Sequence, residues 1–538
     1  MRVETVPRAG AHRLLWDYLF DYPVVANRFP CPPGPGPQWR ELAGRLGSDP
    51  GERRRLAAVL QEYNSSLGAA GAAMEGAARL GEKGTVAVVA GQQPGLFTGP
   101  LYTVLKAAAC VALSRSLASQ GIPAVPVFWL ASEDHDWDEV NHIYILDSAY
   151  RLIRLEAEVP RTGSPPVASL PLPVNRIELI GALLDTAPAT EFAAGVASAL
   201  NGSSSAGSFA GWCACLLSWL FSKEGLVMYD PTLPAARELA LPVMREAVLR
   251  NDEVGQAFAQ GSLRLAGSGY ALQVEKVPDS AHLFILHQGS RVALYRSGAN
   301  LASRNGEVEL SRDQLLTRLE QDPGLASPDV VLRPVVQSAV LPTLAVVAGP
   351  GELGYYAQLG EVFEIFGRPM PALWARPPVT LVDAAVARYL DRLGVPPEGV
   401  VDPRALKLAR AARQETLGGA EISQAFSALR TSIAAGYDDL DRLLRQVDTG
   451  LVQLAGGNRS RVLEQVAWLE RRAQAGLEQR DQVEARQWSS VEQACFPRGR
   501  AQERVLNAFP FLLRYGRAWV ELLCDTLLDP LCHHIVYL

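Results

Sequence analysis

Thr85–Ala90, TVAVVA, runs directly into Gly91–Pro100, GQQPGLFTGP, and then into helix-forming sequence from Leu101. The first six residues are small, apolar or β-branched, and Gly84 and Gly91 bound them. That is the pattern of a strand buried on both faces, which belongs in a parallel sheet flanked by helices. Pro100 suits the first helical turn, because the N–H it lacks would have no partner there. A strand, a glycine loop and a helix thus follow one another within about thirty residues, and this order decides the fold class.

The pattern repeats outward. Ala124–Ala131, AVPVFWLA, Gly225–Asp230, GLVMYD, and Leu341–Glu352, LPTLAVVAGPGE, read as further buried strands, and Met370–Arg376, MPALWAR, as the last. Buried strands alternating with helices predict an α/β fold with a doubly covered parallel sheet. Leu283–His287 and Val292–Arg296 flank Gln288–Arg291 as a hairpin, and Thr162–Pro166 and Asn201–Ser208 read as loops near insertion boundaries. Beyond Leu381 strand signals vanish. Ile433, Tyr437, Leu440, Leu444, Val447, Leu451 and Leu454 recur at steps of four and three, a heptad seam. Gly456-Gly457-Asn458 is expected to break the helix before Val462, Val466, Leu469 and Ala473 resume the seam, giving an antiparallel coiled-coil hairpin.

Composition excludes several classes. The 538 residues are 48% hydrophobic and 20% charged, with a formal net charge of −6, so the chain is not a disordered one. A mildly acidic protein has no global electrostatic reason to bind nucleic acid or an anionic membrane. No secretory h-region and no apolar run near the length of a membrane span is read. Seven cysteines, an odd and sparse set without a CxxC pair, point to a reducing, cytoplasmic setting.

Three loops follow buried strands, where ligands bind in parallel sheets. The first carries Gln92, Gln93, Gly95, Thr98 and Gly99, with Tyr102 and Lys106 four apart on one face of the next helix. Its glycines allow a close backbone approach and the helix start offers free N–H groups to an anion. The second begins after Trp129 and holds Glu133, Asp134, His135 and Asp136, with Asp138, Glu139, Asn141 and His142 close behind. So many ionisable groups after a buried strand are costly unless they serve a divalent metal, recognition of an ammonium group, or acid–base catalysis by His135 with Asp136. The third is Gly349-Pro350-Gly351-Glu352, a second candidate phosphate cradle. Neither GxGxxG, a P-loop nor HExxH spacing is present, and no structural zinc site is expected.

GQQPGLFTGPLYTVLK, PVFWLASEDHDWDEVNH and LPTLAVVAGPGELGYYAQL, with GLVMYDP, SPDVVLRP and QERVLNAFPFLLRYG, together resemble the bacillithiol biosynthesis BshC family, in the same order from about residue 10 to 520. The resemblance implies a Rossmann-like core related to class I cysteinyl-tRNA synthetases, with connecting-peptide insertions and a coiled-coil arm that supports a homodimer. On that basis residues 1–380 form the core, with insertions at about 150–225 and 240–330, residues 381–495 the arm, and 496–538 a helical segment packing back on the core. The implied reaction joins the carboxyl group of L-cysteine to the amino group of glucosaminyl malate, after activation with ATP and Mg as an acyl-adenylate. For that reaction the three loops are expected to supply His135 and Asp136 to catalysis, Gln92, Gln93, Thr98, Tyr102, Lys106, Trp129, Glu133, Asp134, Asn141 and His142 to substrate, and Gly95, Gly99, Gly349, Gly351 and Glu352 to nucleotide. The synthetases' two-histidine signature is replaced by Thr98-Gly99-Pro100-Leu101, and their zinc cysteines have no counterpart, so no zinc is expected. Two other readings stay open from the residues alone: a nucleotide- or thiol-binding scaffold acting through its coiled coil, and a metal-dependent hydrolase on the Glu133–Asp136 cluster.

Overall fold

The computed structural model describes residues 1–8, 10, 12–46, 49–186, 190–415 and 419–538. They form two compact units, one of residues 1–381 and 500–538, the other of residues 382–499.

The first unit is built on five parallel strands in the spatial order Ala372–Ala375, Thr343–Ala348, Val86–Gln92, Ala124–Leu130, Val227–Tyr229. Val86–Gln92, first of the five in the chain, lies in the middle. The chain moves away from it to one side, then returns to lay Thr343–Ala348 against its other edge. That reversal is a topological switch point, and it opens a crevice beyond the carboxyl ends of these two strands. The expected double coverage is met residue by residue. Val86, Val88 and Ala90 point into one core with Leu101, Val104 and Cys110. Ala87 and Val89 point into another with Leu56, Leu60, Ala77 and Leu80. Each fully buried Val or Leu contributes roughly 1.5–3 kcal/mol, so neither face tolerates a one-residue slip.

The helix Leu101–Ser119 passes a length and hydropathy test for a membrane span, contrary to the reading of apolar runs, but 72% of its most apolar window is buried against this sheet. Lys106, on that helix, is 5% exposed.

Between Val227–Tyr229 and Thr343–Ala348 the chain inserts an antiparallel sheet that includes the expected hairpin, Ser280–His287 with Ser290–Ser297. Three features were not anticipated. His142–Leu146 pairs with Leu152–Glu156 directly behind the acidic loop. Arg2–Pro7 pairs with Cys532–Tyr537, so the C-terminal segment, expected to be helical, ends in a strand. Val379–Val382 completes that three-stranded sheet, one strand later than the expected last.

The second unit is helical. Gly419–Leu444 and Thr449–Cys495 run antiparallel, since Arg430 pairs with Glu470 and Arg459 with Asp438 at 2.7 Å. The turn is not at Gly456-Gly457, which lie inside the 47-residue second helix, but at 445–448. Two helical glycines cost about 2 kcal/mol. A long helix with a packed partner absorbs that, and Asp448 supplies the start signal by accepting the Gly450 N–H at 2.8 Å. The seam is therefore split between two helices. Ile433, Tyr437, Leu444 and Leu451 are half-buried, whereas Leu440, Val447 and Leu454 face outward.

Candidate functional site

The crevice at the switch point holds a cavity of about 330 Å³. Gly91, Gln92 and Gln93 form one wall and Gly349–Glu352 the other, with Tyr102, Lys106, Trp129 and Glu139 between them. Arg333, Arg376 and Arg504 bring further positive charge.

Lys106 spans the crevice. Its Nζ donates to Gly91 O at 3.0 Å and Gln92 Oε1 at 3.2 Å, and meets Glu352 Oε2 at 2.6 Å. These three partners use all three ammonium protons, so the side chain locks the two loops together. Burial pushes its pKa down, and Glu352 opposes that shift. Glu352 Oε2 also accepts the Gly349 N–H at 2.8 Å, which folds the third loop back on its own helix start. Gln92 Nε2 donates to the Tyr102 hydroxyl at 3.1 Å. Burial, with Glu139 and Glu352 nearby, pushes that phenol up to about 12, so it stays protonated.

Arg376 is held by a two-pronged ion pair with Glu503, at 2.7 and 2.5 Å, and Glu503 also accepts the Val379 N–H. Burial opposes the charge on Glu503, yet Arg376 holds its carboxyl below the usual carboxylate value. Arg333 donates to the Tyr355 hydroxyl and to Gln337 Oε1 at 3.4 Å, and has no carboxylate partner among the described residues. The Arg504 guanidinium has no hydrogen bond or ion pair among them. Trp129 is 1% exposed, and its Nε1–H, in the cavity wall, is a buried donor without a partner. An orphaned donor and two cations without a carboxylate partner among the described residues fit an anionic ligand.

A second cavity adjoins the first, with Gln93 and Glu139 lining both. Its other lining residues include Asp134, His135, Asp136, Asp138, Arg161 and Ser164, so its charge is of the opposite sign. Gln93 Nε2 donates to Asp134 Oδ2 at 2.5 Å, and Arg291 approaches Asp134 Oδ1 at 3.6 Å. Arg291 also stacks 3.8 Å over Phe284 and lies 3.4 Å from His135 Nδ1. Burial, then Arg291, lower the His135 pKa, against Asp134 and Asp136, so its ring is neutral near pH 7. Asp136 accepts the Glu139 N–H at 3.3 Å and caps the short helix Trp137–Val140.

Of the residues expected from sequence, Gln92, Gln93, Tyr102, Lys106, Trp129, Gly349, Gly351 and Glu352 line the first cavity, and Asp134, His135 and Asp136 the second. The others line neither. Glu133 turns inward to pair with Arg237. Asn141 donates to Glu156 and stands 2.8 Å from His142 Nδ1. Thr98 is fully buried. Gly95 and Gly99 are needed for packing: a Cβ on Gly95 would stand 2.9 Å from Gly99 Cα. Phe97 and Thr98 between them take positive φ, and Asn507 steadies this turn by donating to Phe97 O at 2.8 Å and Gly99 O at 2.6 Å. With Glu133 turned away, the Glu133–Asp136 cluster is not one site. Among the described residues no three His, Cys, Asp or Glu side chains are grouped to hold a metal ion.

The sequence reading missed Arg333, Arg504 and Glu139 as site residues, and Arg376 and Arg291 with them. Each lies in a stretch already singled out, but only the sheet order brings them together.

Residues 1–377 match the family model described as bacillithiol biosynthesis BshC, N-terminal Rossmann-like domain, and residues 379–538 match its C-terminal coiled-coil domain. A Symbiobacterium thermophilum protein named "Putative cysteine ligase BshC" is 34% identical over 514 residues, 91% of each chain. A protein of the same name from Koribacter versatilis is 35% identical over 484 residues, 89% of this chain and 88% of its own. One from Geobacillus thermodenitrificans is 30% identical over 567 aligned positions that cover both chains fully.

Proposed function

The chain belongs to the bacillithiol biosynthesis BshC family, and from that premise we propose that it is a cysteine ligase that joins the carboxyl group of L-cysteine to the amine of glucosaminyl malate. The observation that carries this reading is the pair of adjoining cavities of opposite charge at the switch point. A ligation between a carboxyl group and an amine needs that polarity. The carboxylate and any phosphate go to the cationic side, and the ammonium group goes to the acidic side. The scaffold and hydrolase readings do not fit the family or the ligase names of its members.

A nucleoside triphosphate with Mg²⁺, held in the cationic cavity, would supply the leaving group that a carboxylate lacks. Arg504, and Arg333 through the N–H groups it does not give to Tyr355 and Gln337, would take its oxygens, beside the unpartnered Trp129 N–H. Gly349 and Gly351 let the third loop come close to them. Lys106 sets the spacing of the two loops. Across the boundary, Asp134 and Asp136 attract the sugar ammonium, and the neutral His135 ring stands ready to hold a sugar hydroxyl or relay a proton.

The arm's outward Leu440, Val447, Leu454, Trp468 and Leu469 support a homodimer. Seven free cysteines support a reducing, cytoplasmic setting. Mass in solution tests the first, for the parent and for a chain with the arm shortened across its tip. A monomeric parent ends the dimer proposal.

The function is tested by incubating purified chain with L-cysteine and glucosaminyl malate, with and without ATP, and reading the product by mass. The amide is expected only when all three are present. Cysteine and glucosaminyl malate recovered unchanged in every mixture would overturn the reading.

A further inference from the structure

The geometry points to Glu139 as the catalytic base that takes the proton from the attacking amine, at the boundary between the cationic and acidic cavities. The inference rests on the ligase reading above.

Glu139 lines both cavities, a position it shares only with Gln93 among the described residues. Its carboxylate is open to this space and has no hydrogen bond or ion pair among the described residues. Of the other acids nearby, Asp138 lines only the acidic cavity and the rest are engaged. Asp134 holds Gln93 and the His135 N–H, Asp136 caps a helix, and Glu352 is spent on Lys106 and Gly349. His135 faces only the acidic cavity, with Arg291 beside it to resist a proton. Glu139 is also held in place, since Trp137 packs edge-on against Phe209 at 5.0 Å and Val140 is 3% exposed. At the same boundary, the buried Gln93 Oε1 has no partner among the described residues.

Several titratable or charged groups share these cavities with Glu139. Asp134, Asp136 and Asp138 come from its own loop, Tyr102 and Lys106 from the Leu101–Ser119 helix, Arg161 from the acidic side, and Glu352, Arg333, Arg376 and Arg504 from the cationic side. The packing around Glu139, then Asp136 and Asp134, raise its carboxyl above the usual carboxylate range, against Lys106. A raised value makes a better proton acceptor near neutral pH.

In the assigned step the sugar ammonium gives one proton to a Glu139 oxygen, and the freed lone pair attacks the acyl carbon of a cysteine activated by a nucleoside triphosphate. The C–N bond forms and the C–O bond to the phosphate breaks, its electron pair leaving on the phosphate oxygen. The remaining amine proton displaced in forming the amide passes to solvent.

The test is the pH–rate profile of amide formation by the full chain, its Glu139→Gln variant and its Glu139→Asp variant, with folding checked by circular dichroism. Because the carboxylate has no protein partner, neither change should disturb the fold. Glu139→Gln is expected to lower kcat roughly 10²-fold or more at pH 7, the usual loss for a general base. The deficit should shrink as pH rises and solvent supplies the free amine, and Glu139→Asp should recover part of the rate. A folded Glu139→Gln variant within twofold of an active parent, or a deficit that does not change with pH, overturns the role of Glu139 alone. A parent that forms no amide overturns the ligase reading and this inference with it.

Discussion

Lys106 Nζ and Glu352 Oε2 meet at 2.6 Å across the switch point, tying the loop after Val86–Gln92 to the loop after Thr343–Ala348. The two residues are 246 positions apart in sequence, and their pairing sets the width of the cationic cavity. Lys106→Met would leave Glu352 facing an apolar neighbour without its counter-charge. Breaking a buried pair from one side costs about 3–5 kcal/mol, and the partial exposure of Glu352 places the expected loss at the low end, about 3 kcal/mol. Urea unfolding measures it. Lys106→Met with Glu352→Gln should recover part of the loss; no recovery would mean that the pair is not what the lysine supports.

Asn507 is expected to matter beyond its own burial. It belongs to the C-terminal segment, yet its amide holds the carbonyls of Phe97 and Gly99 in the first loop. Asn507→Ala leaves both without a donor, at about 1–3 kcal/mol for such a buried group. The loop carries Gln92 and Gln93 into the site, so KM should rise along with the loss of stability seen in a thermal melt. An unchanged KM would separate the loop turn from the site.

Stability should fall in acid through His533. Its Nε2 stands 2.9 Å from Thr380 Oγ1. Burial, despite Glu503 and with His534, Arg376 and Arg8 adding, pushes its pKa down to about 4. The unfolded chain takes up this proton near pH 6.5 and the folded one does not until about pH 4, so stability is full above pH 6.5 and is lost as pH falls through that window. The loss approaches about 2–3 kcal/mol by pH 4. His533→Gln should flatten this part of the profile in urea titrations between pH 4 and 7. An equally steep variant would assign the acid sensitivity elsewhere.

The sheet was legible because a doubly buried strand has a plain signature, an apolar β-branched run closed by glycine. The loops after those strands follow from the same reading, and five of their expected residues, together with Tyr102, Lys106 and Trp129, do line the cationic cavity. What stayed hidden depends on distance in sequence. Arg333, Arg376 and Arg504 lie on three separate elements, and nothing local marks them as neighbours of Lys106. Glu139 looked like one more acid in a cluster, because a sequence does not say which carboxylate is already occupied. The glycine pair at 456–457 misled for a different reason: local propensity is weak beside the packing of two long helices. The strand Cys532–Tyr537 could not be expected from a segment whose partner is the first strand of the chain.

The central claim is that ligation depends on free positive charge in the cavity at the switch point. The most direct measurement is the rate of amide formation, read by mass, in the full chain carrying Arg333→Met and Arg504→Met together. Neither guanidinium has a carboxylate partner among the described residues, so the double variant should fold. Each lost charged hydrogen bond is worth about 1.5–3 kcal/mol, so the account predicts a fall of roughly 10²-fold or more. A folded double variant that forms the amide within twofold of the parent rate would contradict it.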